Sequence, residues 1–128
     1  MERVGNQKLS CVDILVPVAA GAVIHETRMV AIREEDGYAV EASKAENLTV
    51  AGAAVSYVDN TSGADGAQFV KVRRAAFVFD NDGSIKNTDM LKEAYVADAQ
   101  TVTITSTGSS VAGRIVGVDA DGVTIDLF

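Results

Sequence analysis

Alternation of apolar and polar residues is clearest at the end of the chain. In "GVTIDLF" (122–128), Val123, Ile125 and Leu127 alternate with Thr124 and Asp126, the pattern of a strand with one buried face. The turn pair Asp121-Gly122 and the run "AGRIVGV" precede it, so residues 112–128 read as a β-hairpin. "MVAIREEDGYAVEA" (29–42) repeats the arrangement around Asp36-Gly37. There Val30 and Ile32 share one side, and Tyr38 and Val40 continue the period on the return. Further Asp-Gly pairs at 65–66 and 82–83 mark turns, because glycine takes positive φ without a Cβ clash.

Between these hairpins lie "AAVSYVDN" (53–60), "AQFVKVRRAAFVF" (67–79), "AYVAD" (94–98) and "TVTITST" (101–107), all strand candidates. "SKAENLTVAG" (43–52) reads as a short turn or linker. "KNTDMLKEAYV" (86–96) offers Asn87 or Thr88 as an N-cap for about one helical turn. Parallel α/β folds need crossover helices of about a dozen residues, and no segment supplies one. The prediction is an all-β fold, a small antiparallel β-barrel or β-sandwich, over residues 28–128.

Residues 1–27 fit that pattern less well. Pro17 lies within "CVDILVPVAAG" and demotes a central strand there, since it has no N–H to give. An extended N-terminal arm is expected, lying along a sheet edge or reaching a neighbouring subunit. Its first 16 residues are expected to be irregular or mobile without a partner. Leu15 and Val16 are its candidate contact residues.

The long strand 67–79 raises a question of parity. Val70, Val72, Ala76 and Val78 share one side, and Lys71, Arg73, Ala75, Phe77 and Phe79 share the other. Arg74 then falls among the buried valines. Two readings resolve this. A β-bulge near residues 73–75 shifts the register and makes both phenylalanines ordinary core. Alternatively, the Phe77/Phe79 end is covered by the arm or by another subunit. In that case Arg73 and Arg74 form ion pairs across the interface. Arg73, Arg74, Phe77 and Phe79 are therefore candidate interface residues.

Composition narrows the function. The chain has 128 residues, 48% of them hydrophobic, which suits one globular domain. It carries 18 acidic against 11 basic residues, net −7, and Lys71, Arg73 and Arg74 make only a small basic spot. That balance argues against nucleic-acid binding. No apolar run approaches the length of a membrane-spanning helix. With Asp13 and Glu2 interrupting, the N-terminus does not read as a signal peptide.

Candidate chemistry is sparse. Cys11 and His25 are the only residues of their types, which leaves no intramolecular disulfide and no His-built zinc site. "DNDGS" (80–84) and "DADG" (119–122) resemble calcium loops faintly but lack the glycine and glutamate spacing of an EF-hand. They read as Asx turns. No phosphate loop, nucleophile–base spacing or carboxylate pair stands out. No catalytic residue, cofactor or metal is predicted, and the chain reads as a non-enzyme.

The order of features does carry a resemblance. "VAAGAVIHETRMVAIREEDGYAVEAS", then "LTVAGAAVSYVDNTSGADGAQFVKVRRAAFVFDN", "AYVADAQTVT" and "VAGRIVGVDADGVTIDL" resemble the capsid cement, or head decoration, proteins of tailed bacteriophages, over about residues 17–128. The resemblance is one of overall pattern. It implies a β-barrel or β-tulip starting near Arg28, and an arm whose residues 1–24 contact capsid or neighbours. It implies a homotrimer on the outer capsid surface, made in the host cytoplasm, that bridges subunits of the major capsid protein and resists internal pressure. A tail or baseplate β-domain is the alternative.

Overall fold

A computed structural model describes residues 12–127. They form β1 (Val12–Pro17), β2 (Val23–Ile24), β3 (Met29–Arg33), β4 (Ala39–Glu41), β5 (Leu48–Ala54) and β6 (Val58–Asp59). These are followed by β7 (Phe69–Arg74), β8 (Ala76–Asn81), β9 (Glu93–Asp98), β10 (Thr101–Thr103), β11 (Val111–Asp119) and β12 (Gly122–Asp126). A 3-10 turn, Asn87–Asp89, is the remnant of the expected helix, and Asp89 caps it by accepting from the Lys86 N–H at 2.8 Å.

The all-β prediction holds, and it resolves into two layers. One is a five-stranded open sheet in the order β1-β7-β5-β3-β4; the other is a closed barrel in the order β10-β8-β12-β11-β9. β2 and β6 form a small two-stranded sheet beside them. The barrel therefore closes only from Ala76 onward, and the residues expected to start it near Arg28 belong to the open sheet. Closure also uses one short parallel ladder, Thr101 opposite Asp80 and Val102 opposite Asn81, within otherwise antiparallel pairing. At one end of the open sheet, a parallel bridge from Val18 to Ala39 draws the β1 and β4 edges together.

β3 is buried on both faces at Met29–Ala31, which explains its unbroken apolar run "MVA". Val30 joins Val16, Val18, Ile24, Val70 and Val72 in a core on one side. Met29 and Ala31 join Val96, Val102, Ile115, Val123 and Ile125 in the barrel core on the other. Each such valine or isoleucine contributes about 1.5–3 kcal/mol on burial. The return strand of the first hairpin sends Ala39, not Val40, into the core beside Val30 and Ile32. The final hairpin matches the sequence pattern: Val123, Ile125 and Leu127 are all buried.

Residues 43–52 do not behave as a linker. Leu48–Ala54 is β5, paired to β3 and β7 near the middle of the sheet. Ser110 anchors its start, donating to the Ala45 carbonyl at 2.6 Å and accepting from the Leu48 N–H at 3.1 Å. A pairing 62 residues apart in sequence leaves no local signature.

The described part of the predicted arm includes a strand, Val12–Pro17. β1 pairs with β7 in continuous antiparallel register, from Val12 opposite Arg74 to Pro17 opposite Phe69. Residues 12–16 are thus neither irregular nor detached, while residues 1–11 lie outside the described residues. The expectation of a sheet edge is met. The Val18 N–H donates to the Gln68 carbonyl at 2.9 Å, so even-numbered residues of β1 bond to β7 and odd-numbered ones point their backbone groups outward. Pro17 falls in the outward set, where its missing N–H removes no ladder bond.

Candidate interaction surface

The segment 67–79 is two strands, not one. β7 pairs with β1 and β5, and the chain then leaves the sheet at Ala75 to enter the barrel as β8, pairing with β12 and β10. Leu127 fastens this junction from both sides. Its N–H donates to the Ala75 carbonyl at 3.0 Å, and its carbonyl accepts from Arg74 Nε at 3.1 Å. The parity problem disappears with the change of sheet.

Phe79 is consequently buried in the barrel core, with Phe77 half-buried against it at a ring separation of 6.4 Å. Val78, 57% exposed, faces outward instead. The interface role expected for Phe79 is corrected, because its ring packs inside its own subunit; Phe77 stays partly exposed beside it. Val16 is corrected likewise, because it is an even-numbered β1 residue and sits in the core beside Val70 and Val72.

Leu15 and Arg73 do lie on an outer face. Leu15 is 66% exposed beside Lys71, and Phe69, opposite Pro17, is 56% exposed. Two rows along, Asp13 and Arg73 stand directly opposite and share two hydrogen bonds, at 2.9 and 3.1 Å. The Arg73 hydrogen bond is the main influence holding the Asp13 carboxyl below its ordinary range; it outweighs desolvation, which pushes the other way, and charge attraction from Arg73 and then Lys71 adds to it. Arg74 is not on this face; it is spent on the Leu127 carbonyl. Leu15 was expected only as part of an arm. Phe69 was missed, although its alternation with buried Val70 and Val72 marks it as outward once Pro17 identifies an edge.

A second concavity, about 560 Å³, lies between β5 and the ends of β9, β11 and β12. Glu34, Arg74, Glu93, Arg114 and Asp126 line it. Glu93, Arg114 and Asp126 stand in one cross-strand row, and Arg114 also donates to the Leu91 carbonyl at 2.8 Å. Its serines are engaged with backbone: Ser109 bonds the Val96 carbonyl and Ser110 the Ala45 carbonyl. Three carboxylates and two guanidinium groups thus share this concavity.

His25 makes one carboxylate contact, Nδ1 to Glu41 Oε2 at 2.6 Å, with the Tyr57 ring edge-on at 5.5 Å. No hydroxyl among the described residues hydrogen-bonds to it. The Asp-Gly turns carry Asx geometry: Asp82 accepts from the Ser84 N–H at 2.9 Å and Asp119 from the Asp121 N–H at 2.8 Å. Among the described residues, no group of three or more His, Cys, Asp or Glu is placed to hold a metal, and no helix is long and apolar enough to cross a membrane.

No family model, curated protein or solved structure matches the chain.

Proposed function

We propose that this protein is a structural virion component that decorates a tailed-phage capsid and stabilises it by bridging subunits of the major capsid protein. The observation that carries the reading is where apolar surface is left outside. In a small protein whose cores are filled by Val, Ile and Ala, Leu15 and Phe69 stand exposed side by side on one face of the sheet, on β1 and its neighbour β7. Such exposure marks a protein-binding surface better than a substrate site. The net charge of −7 suits the outer side of a shell rather than contact with the packaged DNA. The head-decoration assignment itself rests on the pattern resemblance over residues 17–128. With Phe79 in its own core and Phe77 only half-exposed, the more exposed Leu15/Phe69 face is the better-placed protein-binding surface.

The test is co-sedimentation with expanded, empty phage heads, followed by cryo-microscopy of the decorated particles. Saturable binding at regular outer positions is expected. Binding to tail tubes or fibres in place of heads would transfer the protein to the tail, and binding to neither would overturn the structural-virion reading.

A further inference from the structure

The outward face of the open sheet is centred on a lysine. Lys71 stands directly opposite Leu15 on β1, and on its other side the Val55 N–H donates to the Lys71 carbonyl at 2.9 Å. That bond continues the β5–β7 register of Ala53 opposite Arg73 and Ala54 opposite Val72, so Val55 shares the Lys71 face. Phe69, two residues before Lys71 on β7, lies on the same face because side chains alternate along a strand. Leu15, Phe69 and Lys71 are exposed, and Val55 is half-buried. A cationic head on an apolar stem is thus flanked by apolar side chains from β1, from the end of β5 and from its own strand.

Charge on this face runs against the charge of the chain. Across the β1–β7 rows, Asp13 is the one acid, set against Lys71 and Arg73, whereas the whole chain carries net −7. Arg73 already takes both oxygens of Asp13. Lys71 acts on Asp13 only at a distance, and among the described residues no carboxylate lies within ion-pair reach of its ammonium. We propose that Lys71 is the polar anchor of the binding face, and that its partner is an apolar ledge of the shell subunit bearing a carboxylate. The carboxylate pairs with the Lys71 ammonium while Leu15 and Phe69 pack around the pair. The identity of the partner rests on the decoration reading above; the chemistry of the contact comes from this face alone.

Physical chemistry selects this occupant over others. An apolar surround excludes water from the ion pair and strengthens its attraction over that of an open surface pair. Covering the ammonium without supplying a carboxylate would cost free energy instead, so a purely apolar partner fits this face poorly. A second copy fits poorly as well. A twofold contact centred here sets one Lys71 against the other, and like charges juxtaposed across an interface are unfavourable. Nucleic acid would meet a single such cation on a chain of net −7, too little positive charge to hold phosphates.

Co-sedimentation with expanded, empty heads, measured from about 50 to about 500 mM NaCl, reads the outcome. The wild-type chain is expected to bind more weakly as salt rises. Lys71→Glu sets carboxylate against carboxylate and is expected to raise the Kd at least about tenfold. Lys71→Met keeps an apolar stem without the charge, and is expected to bind less tightly than wild type and with a flatter salt dependence. Val78→Ser, exposed on β8 and outside this face, is expected to bind as wild type does. Both positions are exposed, so the β-sheet circular dichroism of all three variants is expected to be unchanged. Wild-type binding that Lys71→Glu leaves intact, or that Val78→Ser weakens equally, would overturn the Lys71 contact and leave decoration standing. A wild-type chain that binds no head would overturn the decoration reading and this contact with it.

Discussion

Asp13 and Arg73 face each other across the β1–β7 ladder, with Nε to Oδ1 at 2.9 Å and Nη2 to Oδ2 at 3.1 Å. The pair is exposed, so it fixes the end of β1 rather than the global stability. Its titration has a definite sign. The folded carboxyl titrates below its ordinary 3.8. The attachment is therefore fully present above the unfolded value and is lost as pH falls through the folded one. NMR titration should place the Asp13 midpoint below 3.8, with Arg73→Met moving it back up and raising amide exchange in β1. A wild-type midpoint at or above 3.8 would mean the pair does not persist in solution.

The two phenylalanines and the valine between them should separate in unfolding experiments. Phe79 is buried in the barrel core, so Phe79→Ala should cost about 3–5 kcal/mol in denaturant unfolding. Phe77 is only half-buried and should cost less. The outward Val78 should fall within about 0.5 kcal/mol of wild type when changed to Ala. Equal small losses at all three positions would mean that β8 is turned the other way.

Gly52 marks where the open sheet is tightest. It sits at the register shift between Val30 and Ala31, with φ at +156°. A Cβ added there would lie 2.4 Å from the Arg73 carbonyl oxygen and 2.8 Å from Val72 Cγ1. The carbonyl belongs to a neighbouring strand and cannot step aside cheaply. Gly52→Ala should therefore destabilise by at least about 1–3 kcal/mol. An unchanged melting temperature would show that β5 and β7 have room to part.

These contrasts show what could be read from residues alone. Hairpins closed by Asp-Gly carried their own evidence, because strand, turn and return are contiguous, and both were legible. The β7–β8 junction was visible only as a parity conflict at Arg74. The bulge reading came close, but a change of sheet at Ala75 depends on Leu127, more than 50 residues away. β5 was hidden because its alanines and glycine, Ala51 to Ala54, have little strand preference of their own and are held by neighbours on both sides. The edge was signalled by Pro17. That the edge is ordered followed from its pairing with β7, which no local pattern encodes.

Asn60 supplies the sharpest test of the loop that closes the second core. Its buried amide nitrogen donates to three carbonyls, those of Ala19 and Ala64 at 3.0 Å and Val18 at 3.3 Å. Asn60→Ala removes these donors and should cost about 1–3 kcal/mol. Asn60→Asp is nearly isosteric but should be worse at neutral pH, because an ionised carboxylate would confront the same oxygens with no proton to share. Burial and those carbonyls would raise its folded pKa above the unfolded value. The cost is then greatest above the folded pKa and shrinks as pH falls, since the protonated acid can donate once. Thermal unfolding of the two variants from pH 7 to pH 4 should show Asn60→Asp recovering relative to Asn60→Ala on acidification. Parallel curves would mean that water or a loop shift satisfies the carbonyls, and that Asn60 is not the bolt its three bonds describe.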